Sequence, residues 1–307
     1  MPLRGITFQG MAHMINKLKC ASAIISLTLS LSACSVNAAQ PSVTPSQDSL
    51  IDAQARAALP KSVRLSGHLE VGIDTTYAPN EFKDSSGNPA GWEVELMKAI
   101  GQRLGVFPRY HQVSFESIIP AVKSSAFDVG LSSFFDTPDR QKLVDLVDYY
   151  SAGILWVQKA GEPRVNPSAA CGLSVGVQLG TYESDVDLPH RSAVCLSLGQ
   201  KSIDIVEYKN QSDANDAVLL GRVKAFVADS PVSLYAVKES FGSLKAVGAI
   251  YSPLNYGMAV KKGSRLGKAL VVAIQSIQAD GTYQKILNSW GVSDGALTRP
   301  LINGVEK

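Results

Sequence analysis

The sequence predicts an α/β protein built from two lobes, and three observations support this prediction. The chain has 307 residues, of which 45% are hydrophobic and 18% are charged, so it can bury a large core and form more than one lobe. From residue 62 onward, short β-rich runs alternate with segments of helical periodicity. The order helix, turn, strand and polar group occurs twice, in IIPAVKSSAFDVGLSS and in NDAVLLGRVKAFVADS. Such alternation is typical of mostly parallel sheets covered by helices.

The individual elements can be predicted from composition and period. The strand candidates are LEVGI (69–73), FDVGL (127–131), LSVGV (173–177), IDIVEY (203–208) and KAFVAD (224–229). The helix candidates are WEVELMKAIGQRL (92–104), ESIIPAVKSS (116–125) and SDANDAVLLGR (212–222). In the first of these helices, Trp92, Leu96, Ile100 and Leu104 share one face, which is therefore predicted to be buried.

Residues 1–34 are predicted to be a signal peptide with a lipobox. Lys17 and Lys19 precede the apolar stretch CASAIISLTLSLSA, which has the length of a signal-peptide core and is short for a membrane span. The stretch ends in Leu31-Ser32-Ala33-Cys34, which looks like a lipobox, so Cys34 is expected to be lipidated and to anchor an exported protein. Ordinary cleavage after Ala38 is the alternative.

Residues 35–61 are predicted to be a flexible tether. They are rich in Ser, Ala, Gln and Pro and show no sustained apolar period, which is typical of linkers. Without residues 1–34, the chain has 26 basic and 27 acidic residues. This balance gives no indication of a nucleic acid or another polyanion as partner.

Two cysteines remain for the folded part of the exported chain, Cys171 and Cys195. An oxidising compartment favours a disulfide between them. A metal site is the weaker alternative, because His190 is the nearest histidine and the sequence contains no C-x-x-C spacing.

Polar residues follow several predicted strands where each strand ends. In open parallel sheets, ligands bind outside these carboxyl ends. The groups concerned are Thr75-Thr76-Tyr77, Ser132-Ser133, Gly180-Thr181 and Asp229. They are expected to meet in one cleft.

The segment TPDR suggests an anion site in that cleft. Thr137 suits an N-cap and Pro138 suits the first helical position, which puts Arg140 in the first helical turn. The helix dipole favours negative charge at that end. The placement of an arginine there makes sense if a carboxylate binds at that helix end. The alternative is a surface arginine paired with Asp136 or Asp139.

Eight segments occur in an order that resembles a known family, and together they cover about three quarters of the chain. They are LEVGIDTTYAPNEF, GWEVELMKAIGQRLG, SFESIIPAVKSSAFDVGLSSFFDTPDR, VDYYSAG, LSVGVQLGTYES, GRVKAFVADSPVSLY, NYGMAV and ADGTYQKILNSWG. The chain resembles the polar amino-acid-binding proteins of ABC importers, which include the periplasmic lysine/arginine/ornithine, histidine and glutamine binders.

The resemblance implies a type II periplasmic-binding-protein fold, an α/β fold with a ligand cleft between two lobes. The implied ranges are 62–155 and 257–291 for lobe 1, 161–252 for lobe 2 and 292–307 for a C-terminal tail. The two hinge strands would be SAGILWVQK and SPLNYGMAV.

The resemblance also implies roles for residues at the ends of the ligand. Arg140 corresponds to the arginine that binds the α-carboxylate, and Asp229 to the aspartate that takes the α-ammonium. Thr181 corresponds to a threonine that also meets the carboxylate. Ser132 and Ser133 match positions that contact the polar ends of the ligand.

Three further residues match the side-chain pocket of the family. Tyr77 and Phe115 correspond to the pair that sandwiches the ligand side chain, although both could also be plain core aromatics. Asp74 corresponds to an acid near the side-chain tip, although it could also be a turn former.

Three candidate site residues depart from the family pattern. Asn80 stands where an aromatic residue is usual, and Phe135 and Tyr182 stand where smaller polar residues are common. These departures leave the ligand class open between cationic and glutamine-like amino acids.

The implied function is an extracytoplasmic receptor without enzymatic activity or cofactor. It is expected to be a monomer that captures a polar L-amino acid by lobe closure and delivers it to an ABC permease driven by an ATPase. Its expected location is the periplasm or the cell surface, with a membrane anchor at Cys34.

Two alternatives remain open. Cyclohexadienyl dehydratases, which act on prephenate, resemble these receptors; here Asp74, Glu81 or Glu183 would have to serve as acid or base. The retained Asp229 favours an amino acid over such a substrate. The second alternative is a receptor that reports its ligand to a signalling partner, which the sequence does not separate from transport.

Overall fold

The computed structural model describes residues 50–304, and within this range helices and strands alternate. The helices are α1 (Ala53–Ala58), α2 (Lys61–Ser66), α3 (Trp92–Leu104), α4 (Phe115–Lys123), α5 (Pro138–Gln141), α6 (Leu188–Ser197), α7 (Gln211–Leu219), α8 (Ser230–Glu239), α9 (Arg265–Ala279) and α10 (Thr282–Trp290). The strands are β1 (His68–Ile73), β2 (Thr76–Tyr77), β3 (Glu81–Lys83), β4 (Pro89–Ala90), β5 (Phe107–Gln112), β6 (Val129–Gly130), β7 (Val144–Lys159), β8 (Ser174–Gln178), β9 (Asp204–Tyr208), β10 (Ala225–Asp229) and β11 (Leu244–Lys261). Residues 1–49 and 305–307 lie outside the described residues, and with them the predicted signal peptide, Cys34 and most of the predicted tether.

One sheet of eight strands runs through two lobes. Its order is β5-β1-β6-β11-β7-β10-β8-β9, and β2, β3 and β4 form a second, small sheet. Strands β5, β1 and β6 are parallel in the first lobe, and β10, β8 and β9 are parallel in the second. The long strands β7 and β11 pair antiparallel with each other and belong to both halves. The two-lobed α/β fold with two connecting strands is thereby confirmed.

Helix α3 shows how the sequence pattern produces burial. Its bounds are those predicted, and the side chains of Trp92, Leu96, Ile100 and Leu104 are all fully buried. The helix ends at Gly105, whose φ of 65° places it in the left-handed region, where glycine meets no steric cost. The apolar face of α3 packs against α9 and positions the loop that precedes it.

The end of the predicted tether is folded, which differs from the sequence expectation. Asp52 caps α1 by accepting from two backbone N–H groups, and Ala55 is fully buried. The Arg56 guanidinium donates to the carbonyl oxygens of Leu104 and Gly105 at 3.2 and 2.7 Å. The sequence AQARAA is short but made of helix-forming residues, and this contact with the end of α3 holds it in place. Residues 50–61 therefore belong to the folded part.

The described part of the C-terminal tail also packs on the first lobe. Ile302 forms a bridge with Val147 and Ala296 with Tyr150. The Asn303 side-chain oxygen accepts from the backbone N–H of Leu146 at 2.8 Å. These contacts line the chain up beside β7, so residues 292–304 extend this lobe.

A disulfide joins Cys171 to Cys195, with an S–S distance of 1.99 Å, which confirms the predicted pairing. It links the segment before β8 to helix α6. None of the helices within residues 50–304 has the length and hydropathy that a bilayer crossing requires.

Candidate functional site

The carboxyl ends of four strands converge, as the sequence analysis predicts. A narrow cavity of about 210 Å³ lies between the two lobes. Its walls are formed by Tyr77, Phe115, Ser132, Ser133, Phe135, Arg140, Thr181, Tyr182, Glu183 and Asp229. Nine of the eleven predicted ligand residues are thus brought together. The other two, Asp74 and Asn80, lie behind these walls.

Arg140 enters the cavity from a single helical turn. Thr137 caps α5 by accepting from the backbone N–H of Arg140 at 3.4 Å, and Pro138 is the first helical residue, as predicted. The helix has only four residues, so its dipole is small and contributes less to an anion site than the sequence argument assumed. Any grip on a carboxylate must come mainly from the guanidinium itself.

The Arg140 guanidinium is held in an orientation that leaves it facing the cavity. Its two terminal nitrogens donate to the carbonyl oxygens of Phe135 at 3.0 Å and Gly180 at 3.1 Å. The second bond crosses the cleft. The guanidinium also lies over the rings of Phe115 and Phe134, 5.5 and 5.4 Å from their centroids, which restricts its rotation by cation–π attraction. The planar fork is therefore preorganised for a carboxylate.

Asp229 is the last residue of β10 and lines the cavity from the second lobe. Its carboxyl group is buried beside Glu183 and near the hydroxyls of Tyr77 and Tyr256. Its backbone N–H donates to the Tyr77 hydroxyl at 3.3 Å. Burial raises the pKa of Asp229 to about 6, while these hydrogen bonds and the charge of Arg140 oppose the rise.

Glu183 is a wall residue that the sequence analysis did not include among the ligand residues. It begins a π-helical turn (Glu183–Asp187) after β8 and is only 1% exposed. Burial, together with the neighbouring Asp229, raises the pKa of Glu183 well above its usual value. The sequence does offer one indication of this place, because Glu183 comes two residues after Thr181 at the same strand end. The resemblance supplied no role there, so Glu183 was considered only as an acid for the enzyme alternative.

Ser132 and Ser133 form the wall of the first lobe, and buried groups fix their hydroxyls. The Ser133 hydroxyl donates to Glu93 at 2.7 Å and accepts from the Asn80 side-chain amide at 2.8 Å. The Ser132 hydroxyl accepts from the backbone N–H of Asp74 at 3.2 Å. Since the proton of the Ser133 hydroxyl is already used, this hydroxyl presents an acceptor to the cavity.

Asn80, a candidate site residue in the sequence analysis, lies behind the wall and does not line the cavity. It is fully buried, and its side-chain oxygen accepts from the indole N–H of Trp92 at 2.7 Å. Because its amide bonds Ser133, any influence on a ligand passes through that serine.

Asp74 connects the two lobes. Its carboxylate accepts from the Gln178 side-chain amide at 2.6 Å and from the backbone N–H of Thr76 at 3.1 Å. Burial raises the pKa of Asp74, and these two hydrogen bonds oppose the rise. Asp74 therefore joins β1 of the first lobe to β8 of the second without lining the cavity.

Two departures from the family pattern meet across the cleft. The rings of Phe135 and Tyr182 contact edge to face, with centroids 5.9 Å apart and planes at 89°. Phe135 also lies near the ring of Tyr256, at 5.4 Å. The two departing side chains thus form one aromatic part of the cavity wall.

Two further acid pairs lie outside the cavity. Glu81 and Glu93 are fully buried behind the serines, and burial raises the pKa of both. Asp148 on β7 is hydrogen-bonded to Asp136, and burial together with the charge of Asp136 raises the pKa of Asp148 to about 7. The Asn255 amide donates to Asp148 at 3.2 Å. Within residues 50–304, no group of three or more His, Cys, Asp and Glu side chains is arranged to hold a metal ion.

Comparisons with known proteins agree with this geometry. The family described as bacterial extracellular solute-binding proteins, family 3, matches residues 69–293. The arginine-binding protein ArgT of Corynebacterium glutamicum is 35% identical over 249 residues, which are 81% of this chain and 82% of that protein.

Two solved structures share the fold over most of the described residues. An ancestral arginine-binding protein bound to arginine has a TM-score of 0.67 at 36% identity and covers 73% of this chain and 98% of its own. An ancestral amino acid-binding protein described as a precursor of cyclohexadienyl dehydratase has a TM-score of 0.65 at 28% identity, covering 75% of this chain and 97% of its own.

Proposed function

The chain belongs to the bacterial extracellular solute-binding proteins, family 3, and on that premise we propose that it captures a polar L-amino acid with a cationic side chain, arginine first, for an ABC importer. The observation that carries this proposal is that Arg140 of the first lobe and Asp229 of the second lobe line the same cavity. Both arginine-binding relatives support the choice of ligand.

The proposed ligand contacts follow from the charges in the cavity. Arg140 binds the α-carboxylate through its fork, with Thr181 beside it. Asp229 takes the α-ammonium, and the acceptor hydroxyl of Ser133 suits another donor of the ligand. Tyr77 and Phe115 enclose the side chain. The ligand side chain extends towards Asp74, which lies behind the cavity wall, keeps its bond to Gln178 and attracts a cationic tip by its charge.

Capture is coupled to closure of the lobes. Three hydrogen bonds already cross the cleft, from Arg140 to Gly180, from Gln178 to Asp74 and from Asp229 to Tyr77. A zwitterion adds one ion pair in the first lobe and one in the second, and only the closed state makes both. The cavity is too narrow for a ligand to pass through its walls, so entry requires the lobes to separate.

We also propose the delivery route and the location. The receptor is exported through the signal peptide of residues 1–34, anchored by a lipid on Cys34 and located in the periplasm or on the cell surface. As a monomer it docks in its closed form on a permease driven by an ATPase.

A thermal-shift panel tests the function. The protein without residues 1–34, unfolded and refolded to remove bound ligand, is heated with each of the twenty amino acids, ornithine, citrulline and prephenate. At a concentration near 100 times Kd, binding adds about 2.7 kcal/mol of stability. We expect the largest shift with L-arginine.

The enzyme alternative has a distinct outcome in the same panel. A shift with prephenate and none with any amino acid would contradict the receptor proposal and favour a dehydratase. The related structure that carries the enzyme's name is itself described as an amino acid-binding precursor, so the resemblance does not favour the enzyme.

A further inference from the structure

The cavity contains one more acid than the ends of an amino acid require. In the proposed complex, Arg140 binds the α-carboxylate of the ligand. The α-ammonium group needs one carboxylate, which Asp229 supplies. Glu183 is a second carboxyl group in the same wall, and its charge and that of Asp229 affect each other. One oxygen of each carboxyl group, Oε1 of Glu183 and Oδ1 of Asp229, is buried and has no partner in the described part of the chain.

Two buried carboxyl groups in contact cannot both be ionised without cost, so such pairs hold a proton between them. Groups from four elements face the pair. Arg140 of α5 is the cation, Tyr77 on β2 and Tyr256 on β11 present neutral hydroxyls, and the π-helical turn contributes Asp187 near Glu183 and Asp185 near Arg140. Among these groups only Arg140 favours, by its charge, the ionised forms of Glu183 and Asp229. In the proposed complex the ligand carboxylate neutralises the charge of Arg140.

We propose that Glu183 and Asp229 share a proton that the ligand's ammonium group displaces to solvent, so that capture of an amino acid is linked to proton release. This inference rests on the proposed function. The ammonium group is a cation in contact with both carboxyl groups, and a nearby cation favours their ionised forms. The displaced proton leaves as the ammonium enters, and no covalent bond changes.

The linkage makes affinity depend on pH in a defined direction. Burial raises the pKa of Asp229 to about 6, so the pair begins to lose its last negative charge as pH falls through that value. The ammonium then has no carboxylate to meet. Affinity is expected to fall by up to about tenfold per pH unit below pH 6, since each displaced proton contributes one factor of the proton concentration. Above about pH 8 it becomes constant.

Isothermal titration with L-arginine measures the proton directly. Titrations at pH 7.5, where Asp229 is ionised and only the shared proton remains, in buffers of different ionisation enthalpy give the number of protons released, which we expect to lie between about 0.5 and 1. Glu183→Gln keeps the shape of the protonated acid and its donor but cannot titrate. In this variant only Asp229 still titrates, so at pH 7.5 we expect release near zero and an affinity that stays constant between about pH 7 and pH 8, where that of the unaltered protein still rises. A thermal melt without ligand confirms that the variant is folded.

Asp148→Asn is the matched control, because it removes a buried acid of raised pKa that lies outside the cavity. It should release the same number of protons as the unaltered protein. If the release disappeared in this variant, the proton would come from the Asp136–Asp148 pair and the inference would be overturned.

The remaining outcomes are also decisive. Arginine binding without proton release would overturn the inference and leave the proposed function standing. If Glu183→Gln released as many protons as the unaltered protein, or did not bind arginine at all, the assignment of the shared proton to Glu183 would be refuted. Failure of every amino acid to bind would overturn the proposed function first, and the inference with it.

Discussion

Arg140 combines two tasks in one side chain, because it faces the ligand cavity and bonds the opposite lobe. We expect Arg140→Ala to weaken amino-acid binding by about 2–5 kcal/mol, since it removes a bidentate charged contact and leaves the ligand carboxylate unpaired. Titration calorimetry measures this loss. Arg140→Lys retains the charge without the planar fork, so its affinity should lie between that of the unaltered protein and that of Arg140→Ala. An alanine variant with unaltered affinity would refute the assignment of the carboxylate site.

Asp148 is expected to make stability depend on pH. Its pKa is about 7 in the folded protein and near 3.9 in an unfolded chain, so the folded state binds more protons between these values. The free energy of unfolding therefore falls as pH rises from about 4 to 7, by up to about 4 kcal/mol at 1.4 kcal/mol per pKa unit.

Asp148→Asn should remove this contribution, because its amide can donate to Asp136 at any pH. Denaturant melts at pH 5 and pH 8 measure the effect as the difference between the two proteins. If both lost the same stability between these pH values, the pKa of Asp148 would not be the cause.

At the scale of elements, the disulfide closes a loop between the start of β8 and α6. The two cysteines are 24 positions apart, so the chain-entropy account gives a stabilisation of about 3 kcal/mol. Replacing both cysteines by serine should lower the free energy of unfolding by this amount and leave ligand affinity unaltered, because neither cysteine lines the cavity. Denaturant melts test the first statement, and titration with L-arginine tests the second. The unaltered protein melted with a reductant should match the variant.

The sequence predicts most elements because their patterns are local. The period of α3 and the β-branched runs of β1, β8 and β10 depend on residues next to each other in the chain. Helix α1 was not predicted, since its stability comes from Arg56 and its contact with the end of α3, which are 48 positions apart in sequence. Strand β6 was predicted as five residues and has two.

The same distinction explains the site. Strand ends identify Ser132, Thr181 and Asp229, because topology alone brings them to one edge of the sheet. The place of Asn80 behind Ser133 depends on packing against Trp92, which no spacing reveals. The pairing of Glu183 with Asp229 depends on how two loops of the second lobe meet. Their ligand contacts stay predictions.

For the whole molecule, the bond between Gln178 and Asp74 is expected to control how long the lobes remain closed. A hydrogen bond to a charged group contributes about 1.5–3 kcal/mol. Gln178→Ala should therefore accelerate ligand dissociation by about 10- to 100-fold and change the association rate little. Stopped-flow measurements of both rates test this expectation.

Gln158→Ala is the matched control for that variant. Gln158 is also a buried glutamine, but it bonds Val165, Glu162 and Pro163 within the second lobe. Gln158→Ala should lower the free energy of unfolding and leave the rate of ligand dissociation unaltered. Equal acceleration by both variants would mean that general destabilisation, and not the bond across the cleft, sets the rate.

The two connecting strands are unequal in length where they cross between the lobes. Between the pairs Val247–Trp156 and Tyr251–Ile154, β11 has three intervening residues and β7 has one; between Tyr251–Ile154 and Leu254–Ala152, β11 has two and β7 has one. Strand β11 thus has spare residues at this crossing, and β7 has none. When the lobes separate, β11 can straighten while β7 keeps its length, so the axis of rotation should pass through β7 perpendicular to the two strands, and the opening should end where the spare residues of β11 are used up.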